Sequence, residues 1–446
     1  MTEAVTSQGL EDSGESKGLR SVLTHRDFSL LWSGQLVSNI GTAIATLALM
    51  FYAFDLTQSP MAMAILAMAQ TIPVVAFAGP IGVYIDRWNR KTIMVASDIT
   101  RATVIILIPL TEYFPTFFPA IYWVYLLTFV YATANAWFFP ARSAAIPNLV
   151  EGDELVVANS LSQMTFQVVQ LVVPPVGGIL VALLAPNYLP AFAINSASFV
   201  FSALALSMIA TDLVPDHDLQ SKESLMMQVK EGAKFVIGNS ILSFLFVFAM
   251  LLAVSSGILN ALFIPYLEGE LALGATQIGL VLSAGAASGA AAALYFSRKT
   301  KIDKPLYLIA GAGILAGVAV FFMVLAFDLV TVMLSWAMIG SVDVILDIPL
   351  TVLLQQLVRD ELRGRVFALL NVVFTAVQVV GMGIGGVWAE AAASTGPPMI
   401  GAAFALVLVS VLGFFAVAKL NLHRKLESEQ PEQEIELPEI AVEVPV

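Results

Sequence analysis

The sequence predicts an all-α membrane protein whose twelve transmembrane helices form two pseudo-symmetric six-helix bundles. Three observations carry this expectation. Twelve apolar stretches each approach the roughly 20 residues that a helix needs to cross a bilayer. The 21 Lys and Arg residues sort onto one side of those stretches, while Asp55, Glu112, Glu268, Glu270, Asp328 and Glu390 occupy the other side without a cation, the pattern of the positive-inside rule. Sliding the second half over the first by 208 residues brings a whole segment into line.

Composition agrees. The chain of 446 residues is 58% apolar and 12% charged, against about 45–50% and about 25% in a soluble domain. Twelve spans leave only short connections and two tails. The net charge of −12 sits largely in those tails, at Glu3, Glu11, Asp12 and Glu15 and in seven Glu from Glu427 to Glu443. Solvated, disordered tails are the expectation there, and nucleic acid is not an expected partner. The absence of cysteine excludes thiolate chemistry and Cys-bound metals. His25, His217 and His423 all fall in connections or tails. No cofactor, no metal and no enzymatic activity are expected. The acidic, Ser-rich first 19 residues lack the apolar core of a cleavable signal.

In chain order the spans read 30–54, 60–85, 92–112, 118–138, 157–182, 189–211, 240–267, 274–296, 305–326, 330–354, 365–390 and 397–419. They divide the chain into a cytoplasmic tail, 1–29, a bundle, 30–211, a linker, 212–239, a second bundle, 240–419, and an acidic tail, 420–446. The linker is the longest internal connection, and Leu225 to Phe235 within it has the periodicity of a short surface helix. The 208-residue offset pairs Val150 with Val358, Phe166 with Phe374, Gln170 with Gln378, and Gly177–Gly178 with Gly385–Gly386. An offset of six spans, an even number, makes this a parallel repeat about the membrane normal.

Glycines four apart, Gly285 with Gly289 and Gly313 with Gly317, suit close helix packing, with a hinge as the alternative. Pro73, Pro80, Pro174, Pro175 and Pro349 are expected to interrupt spans 2, 5 and 10 beside a cavity.

The connection between spans 2 and 3 reads GVYIDRWNRK: Gly82, Asp86, Arg87, Asn89, Arg90 and Lys91. It resembles the signature loop of the major facilitator superfamily, G-x-x-x-D-R-x-G-R-K, with Asn89 in place of the last glycine. Asn is expected to take up the left-handed turn there. The runs HRDFSLLWSGQLVSNIG from His25, FFPARSAAIPNLV from Phe138, ELVVANSL from Glu154 and RGRVFAL from Arg363 resemble the branch with macrolide-efflux and enterobactin-export proteins. The segment VPPVGG from Val173 resembles the antiporter element G-P-x-x-G-G, its leading Gly replaced. The resemblance implies the major facilitator fold, secondary transport, and a cavity bounded by spans 1, 2, 4, 5, 7, 8, 10 and 11.

The loop's chemistry can be argued from the residues. Asp86 is expected to accept bonds from the amides of another helix, and Arg90 and Lys91 to pair with carboxylates on neighbouring spans. Asp98, Arg101 and Arg142 are expected to extend this network into a gating latch. Ordinary interfacial anchoring is the alternative reading.

Ionisable groups at membrane depth cost about 2.5–3.5 kcal/mol on insertion scales and invite a functional reading. Span 10 holds Asp343 and, one turn on, Asp347. Two carboxylates so placed should not both ionise and must be described as a pair. They could couple transport to protons, one proton moving through 100 mV supplying about 2.3 kcal/mol; they could attract a cationic substrate; or they could be structural. Asn39, Gln163, Gln167, Gln170, Asn260 and Gln378 are the candidate cavity residues, helix-to-helix hydrogen bonding being the alternative for each. Asn195, on span 6, does not fit a lipid-facing helix.

No nucleotide-binding P-loop occurs, so the energy is expected to come from an ion gradient. The expected protein is a proton-coupled exporter of amphipathic small molecules, such as a drug, a siderophore or a secreted metabolite. It is expected to sit as a monomer among the lipids of a bacterial inner membrane, with both termini cytoplasmic. A transporter of lipid-like or nutrient substrates and a transport-inactive sensor are the alternatives.

Overall fold

A computed structural model describes residues 19–85, 87–113, 118–150, 152–214, 225–299, 302–422 and 426. Asp86, the tail through residue 18, residues 215–224 of the linker and the acidic tail from 427 lie outside the described residues.

Fourteen α-helices follow one another among the described residues: α1 (Leu19–Thr24), α2 (Arg26–Thr57), α3 (Pro60–Ile85), α4 (Arg90–Leu107), α5 (Ala120–Ala145), α6 (Leu155–Leu184), α7 (Leu189–Ser207), α8 (Leu225–Gly238), α9 (Ser240–Ile264), α10 (Ala275–Ser297), α11 (Pro305–Val324), α12 (Leu329–Leu357), α13 (Asp360–Ala392) and α14 (Gly396–Lys419). A 3₁₀ turn, Ile108–Tyr113, extends α4, and a π-helical turn, Pro265–Glu270, extends α9. Twelve of these helices are long and apolar enough to cross a bilayer. A helix meets the demand of the bilayer core, where water is absent, by bonding every backbone group within its own segment.

Most helix contacts fall within α2 to α7 or within α9 to α14, while α6 against α10 and α3 against α13 make the main contacts between the two groups. Several helices overrun the expected spans: α2 runs from Arg26 to Thr57, α5 reaches Ala145, and α13 starts at Asp360 because its polar first turn extends past the apolar stretch, whereas α7 ends early at Ser207. The prolines do not interrupt. Pro73, Pro80, Pro174, Pro175 and Pro349 all sit inside continuous helices, as does Pro140; each removes one backbone bond, a loss that neighbouring helices can absorb.

Helix ends are fixed by local chemistry. Asn239 caps α9, its Oδ1 accepting from the amides of Ile241 and Leu242 at 2.9 and 3.0 Å. Asp328 caps α12 through the Thr331 amide at 2.9 Å, and the Thr331 hydroxyl, with that amide, holds its carboxyl below the usual range. Between α10 and α12, Gly285, Gly289 and Gly340 let the backbones meet: a Cβ on Gly340 would collide with the Gly285 carbonyl, and one on Gly285 with the Trp336 indole.

Candidate functional site

Among the described residues, Arg90 and Lys91 do not form the carboxylate pairs expected of them, and Asp86 lies outside the described residues. Arg90 donates to the Ala144 carbonyl at 3.0 Å and to Asn148 Oδ1 at 2.8 Å, and Lys91 Nζ donates to the Ile209 carbonyl at 2.7 Å. Their targets are therefore the C-terminal ends of α5 and α7, where unpaired carbonyls and the helix dipole attract a cation, in place of the carboxylates expected. Asn89 has φ −60° and ψ 116°, so it does not adopt the expected left-handed turn. It is the N-cap of α4, accepting from the amides of Lys91 at 2.9 Å and Thr92 at 3.4 Å. Arg87 is exposed. A Cβ on Gly82 would meet nothing within 4 Å.

Asp98 and Arg101 leave the loop altogether. They form an ion pair inside the first six helices, exposed by 0% and 4%. The guanidinium lies between the rings of Phe138 and Phe199, at 4.1 and 4.4 Å from their centroids, and donates to Asn135 Oδ1 at 3.0 Å. Asn195, also fully buried, accepts from the Ser198 hydroxyl at 3.2 Å. Arg142 donates to Gln35 Oε1 at 3.3 Å with its guanidinium 5.4 Å from the Phe139 ring. Polar side chains thus fill this interior, leaving a void of about 20 Å³ beside Thr128 and Asn195, room for about one water.

The second six helices are built differently. Helix α12 packs along α10 and α11 but meets α9 and α13 only sparsely, which opens a cavity of about 410 Å³, within the range of small-molecule sites. Asp343 and Asp347 project into it from α12, together with Ser256 and Asn260 from α9. No basic side chain lines it among the described residues. Phe263 and Trp336 form an apolar wall with centroids 4.0 Å apart. Gln378 reaches the same site from α13 by donating to Ser256 Oγ at 3.1 Å.

Asn39, Gln163, Gln167 and Gln170 do not line this cavity. The three glutamines continue a stripe of α6 whose other end touches α10, as the contacts between the two groups of helices reveal. Toward the end carrying the acidic connections, Ser283 donates to the Leu171 carbonyl at 2.8 Å, and Thr276 to that of Gly178 at 3.4 Å. Gly178 fits against Ala275, and Gly279 reciprocally against Pro174. On the opposite side of the pore axis, Ser59 donates to Glu390 at 3.1 Å, while Gly386 packs on Met61 and Ala64. Further along the same α6 stripe, toward the basic connections, Gln170, Gln167 and Gln163 are exposed. The two groups therefore meet at the acidic end and part toward the basic end.

A twelve-helix bundle split in this way, with carboxylates and amides turned into an internal cavity, defines a polytopic membrane transporter. The profile of the Major Facilitator Superfamily matches residues 31–382, and again 245–441; the chain belongs to that family. It is 26% identical over 374 residues to the uncharacterized MFS-type transporter YfiS of Bacillus subtilis, covering 81% of this chain and 86% of the relative. It is 25% identical over 205 residues to macrolide efflux protein A of Streptococcus pyogenes, covering 46% of this chain and 50% of that protein. Among solved structures, a mutant of the nucleoside transporter NupG superposes with a TM-score of 0.68 at 14% identity, covering 90% of this chain and 99% of that one. That likeness shows the fold. The family's members are membrane transporters and not enzymes.

Proposed function

We propose that this transporter is a proton-coupled exporter of amphipathic small molecules, and that Asp343 and Asp347 are where proton and substrate compete. One observation carries the reading: two carboxylates one turn apart face an aromatic-walled cavity that no cation among the described residues lines. In such surroundings two negative charges repel without compensation, so a proton on the pair and a cationic group on a substrate are alternative ways to neutralise it. Asn260 and Ser256 supply hydrogen bonds that orient the occupant, and Gln378 holds Ser256 in place. The partial similarity to a macrolide efflux protein favours export of drug-like molecules over uptake.

In this reading residues 30–211 and 240–419 move as two bodies joined by the linker, 212–239, with the basic end and both termini in the cytoplasm of a bacterial cell. The parted end is then the cytoplasmic mouth through which substrate enters, past Gln163, Gln167 and Gln170. The protein works as a monomer. Gly82, Asp86, Arg87, Arg90 and Lys91 belong to the latch of the opposite conformation, and Arg142 to its neighbourhood.

The test is accumulation of a radiolabelled macrolide in cells expressing the wild type or Asp343→Asn, with and without a protonophore. Export that the uncoupler abolishes in the wild type, and that the variant lacks at equal expression, supports the assignment. Undiminished, uncoupler-sensitive export by the variant removes Asp343 from the coupling role.

A further inference from the structure

The short helix α8 and the basic residues around it are left unused by the transport cycle described above. Between α8 and the starts of α9 and α13 lies a surface cavity of about 550 Å³ lined by Glu231, Lys234, Phe235, Asn239, Arg359 and Leu362 among others. Its charges are unbalanced. Glu231 is neutralised by an ion pair with Arg365, and Asp360 by Arg363 at 2.6 Å. Lys234 and Arg359, both exposed, have no carboxylate partner among the described residues. The Arg359 guanidinium is held 5.6 Å from the Phe235 ring centroid, which fixes its position without cancelling its charge. Lys230, one turn before Lys234 on α8, is likewise exposed. The positive end of the 25-residue helix α9 opens at Asn239 on the same cavity.

An apolar surface adjoins this anion-attracting pocket. Ile237, on the last turn of α8, is 79% exposed, and it lies at the entrance to α9, where a membrane span begins. A cationic recess beside an uncovered aliphatic side chain at the edge of the bilayer matches an anionic amphiphile whose head and tail occupy different media. A freely dissolved anion would use the charges and leave Ile237 without a role.

We infer that the recess between α8, α9 and α13 binds the phosphate headgroup of an anionic phospholipid, with Lys234 and Arg359 as its ligands and Ile237 against an acyl chain. Because Glu231 ties α8 to α13 through Arg365, and Arg365 lies against Gly232, the lipid braces the surface helix against the second group of helices.

Lipid retention by the purified full chain tests this directly. The protein is titrated in detergent with phosphatidylglycerol or phosphatidylcholine, and bound lipid is counted by native mass spectrometry. Lys234→Ala/Arg359→Ala should weaken phosphatidylglycerol binding by about tenfold or more, each basic group contributing on the order of fivefold. Phosphatidylcholine binding should not change, and Arg298→Ala/Lys299→Ala, at another basic connection, should match the wild type. Millimolar inorganic phosphate should fail to displace the lipid. The single variant Lys234→Gln, at an exposed side chain, gives the same readout if the double variant folds poorly. Equal retention of phosphatidylglycerol by wild type and Lys234→Gln, equal weakening by the control variant, or displacement by free phosphate would overturn the assignment.

Discussion

The Tyr188 hydroxyl donates to Asp55 Oδ2 at 2.6 Å, joining the acidic end of α2 to the start of α7. Burial, and then this bond to a carboxylate, hold the phenol proton above the ordinary tyrosine range. A second carboxylate approaches from the other group of helices: Glu268 lies close enough to interact with Asp55 and with Tyr188, and its neighbour Gly269 packs on the Phe54 ring. Glu268 Oε2 is buried without a hydrogen-bond partner. Two acids thus face each other across the closed end, with no described cation to offset them.

Neutralising one of them should therefore favour closure. In Glu268→Gln, spin labels on cysteines introduced at Gln58 and Ala272 should show a larger population at the short distance than the same labels on wild-type Glu268. The chain has no cysteine of its own, so no background must be removed. An unchanged distance distribution would show that the acids do not oppose closure.

The α6–α10 contact makes the opposite prediction. A Cβ on Gly178 would strike the Ala275 carbonyl, and one on Gly279 the Pro174 carbonyl; these are backbone atoms that cannot rotate away. Gly178→Leu and Gly279→Leu should open the acidic end, read as faster labelling of a cysteine at Thr276 from that side. Each variant should also export less than one tenth of the wild-type amount. Normal labelling with normal export would mean that the contact is slack.

Inside the first six helices, the Asp98–Arg101 pair should be structural. Asp98→Ala leaves a buried guanidinium without its counter-charge, a loss of about 3–5 kcal/mol, and the detergent-solubilised variant should unfold at a markedly lower temperature. Asp98→Leu/Arg101→Met, which removes both charges, should recover most of that loss. If the double variant is no more stable than the single one, Arg101 needs its partner for something other than charge compensation.

The twelve spans and the repeat were legible because lipid imposes length and apolarity on each span. The paired glycines of the 208-residue repeat prove to do equivalent work: Gly178 packs α6 on α10, and Gly386 packs α13 on α3. Both contacts cross between the two groups of helices. The motif residues were recognisable as a set, but their partners were not. Arg90 and Lys91 bind helix-terminal carbonyls, which every residue possesses and no side-chain pattern announces. Asn89 could be taken for a turn residue or a cap, since Asn serves both, and only its φ distinguishes them.

The cavity was half legible. Asp343, Asp347 and Asn260 stood out as polar groups in apolar spans, and they meet. The glutamines of α6 stood out equally and lie elsewhere, because the space opens among α9, α11 and α12, and α6 belongs to the other group of helices. Asn195 looked misplaced on a lipid-facing helix; its side chain instead turns inward toward Thr42 and Ser198.

The central claim is that substrate and proton share the Asp343–Asp347 pair, and proton release on binding measures it most directly. Adding a macrolide to the purified transporter in weakly buffered detergent should release protons from the wild type, and less than a third as many from Asp343→Asn/Asp347→Asn. Binding accompanied by equal proton release in both proteins would contradict it.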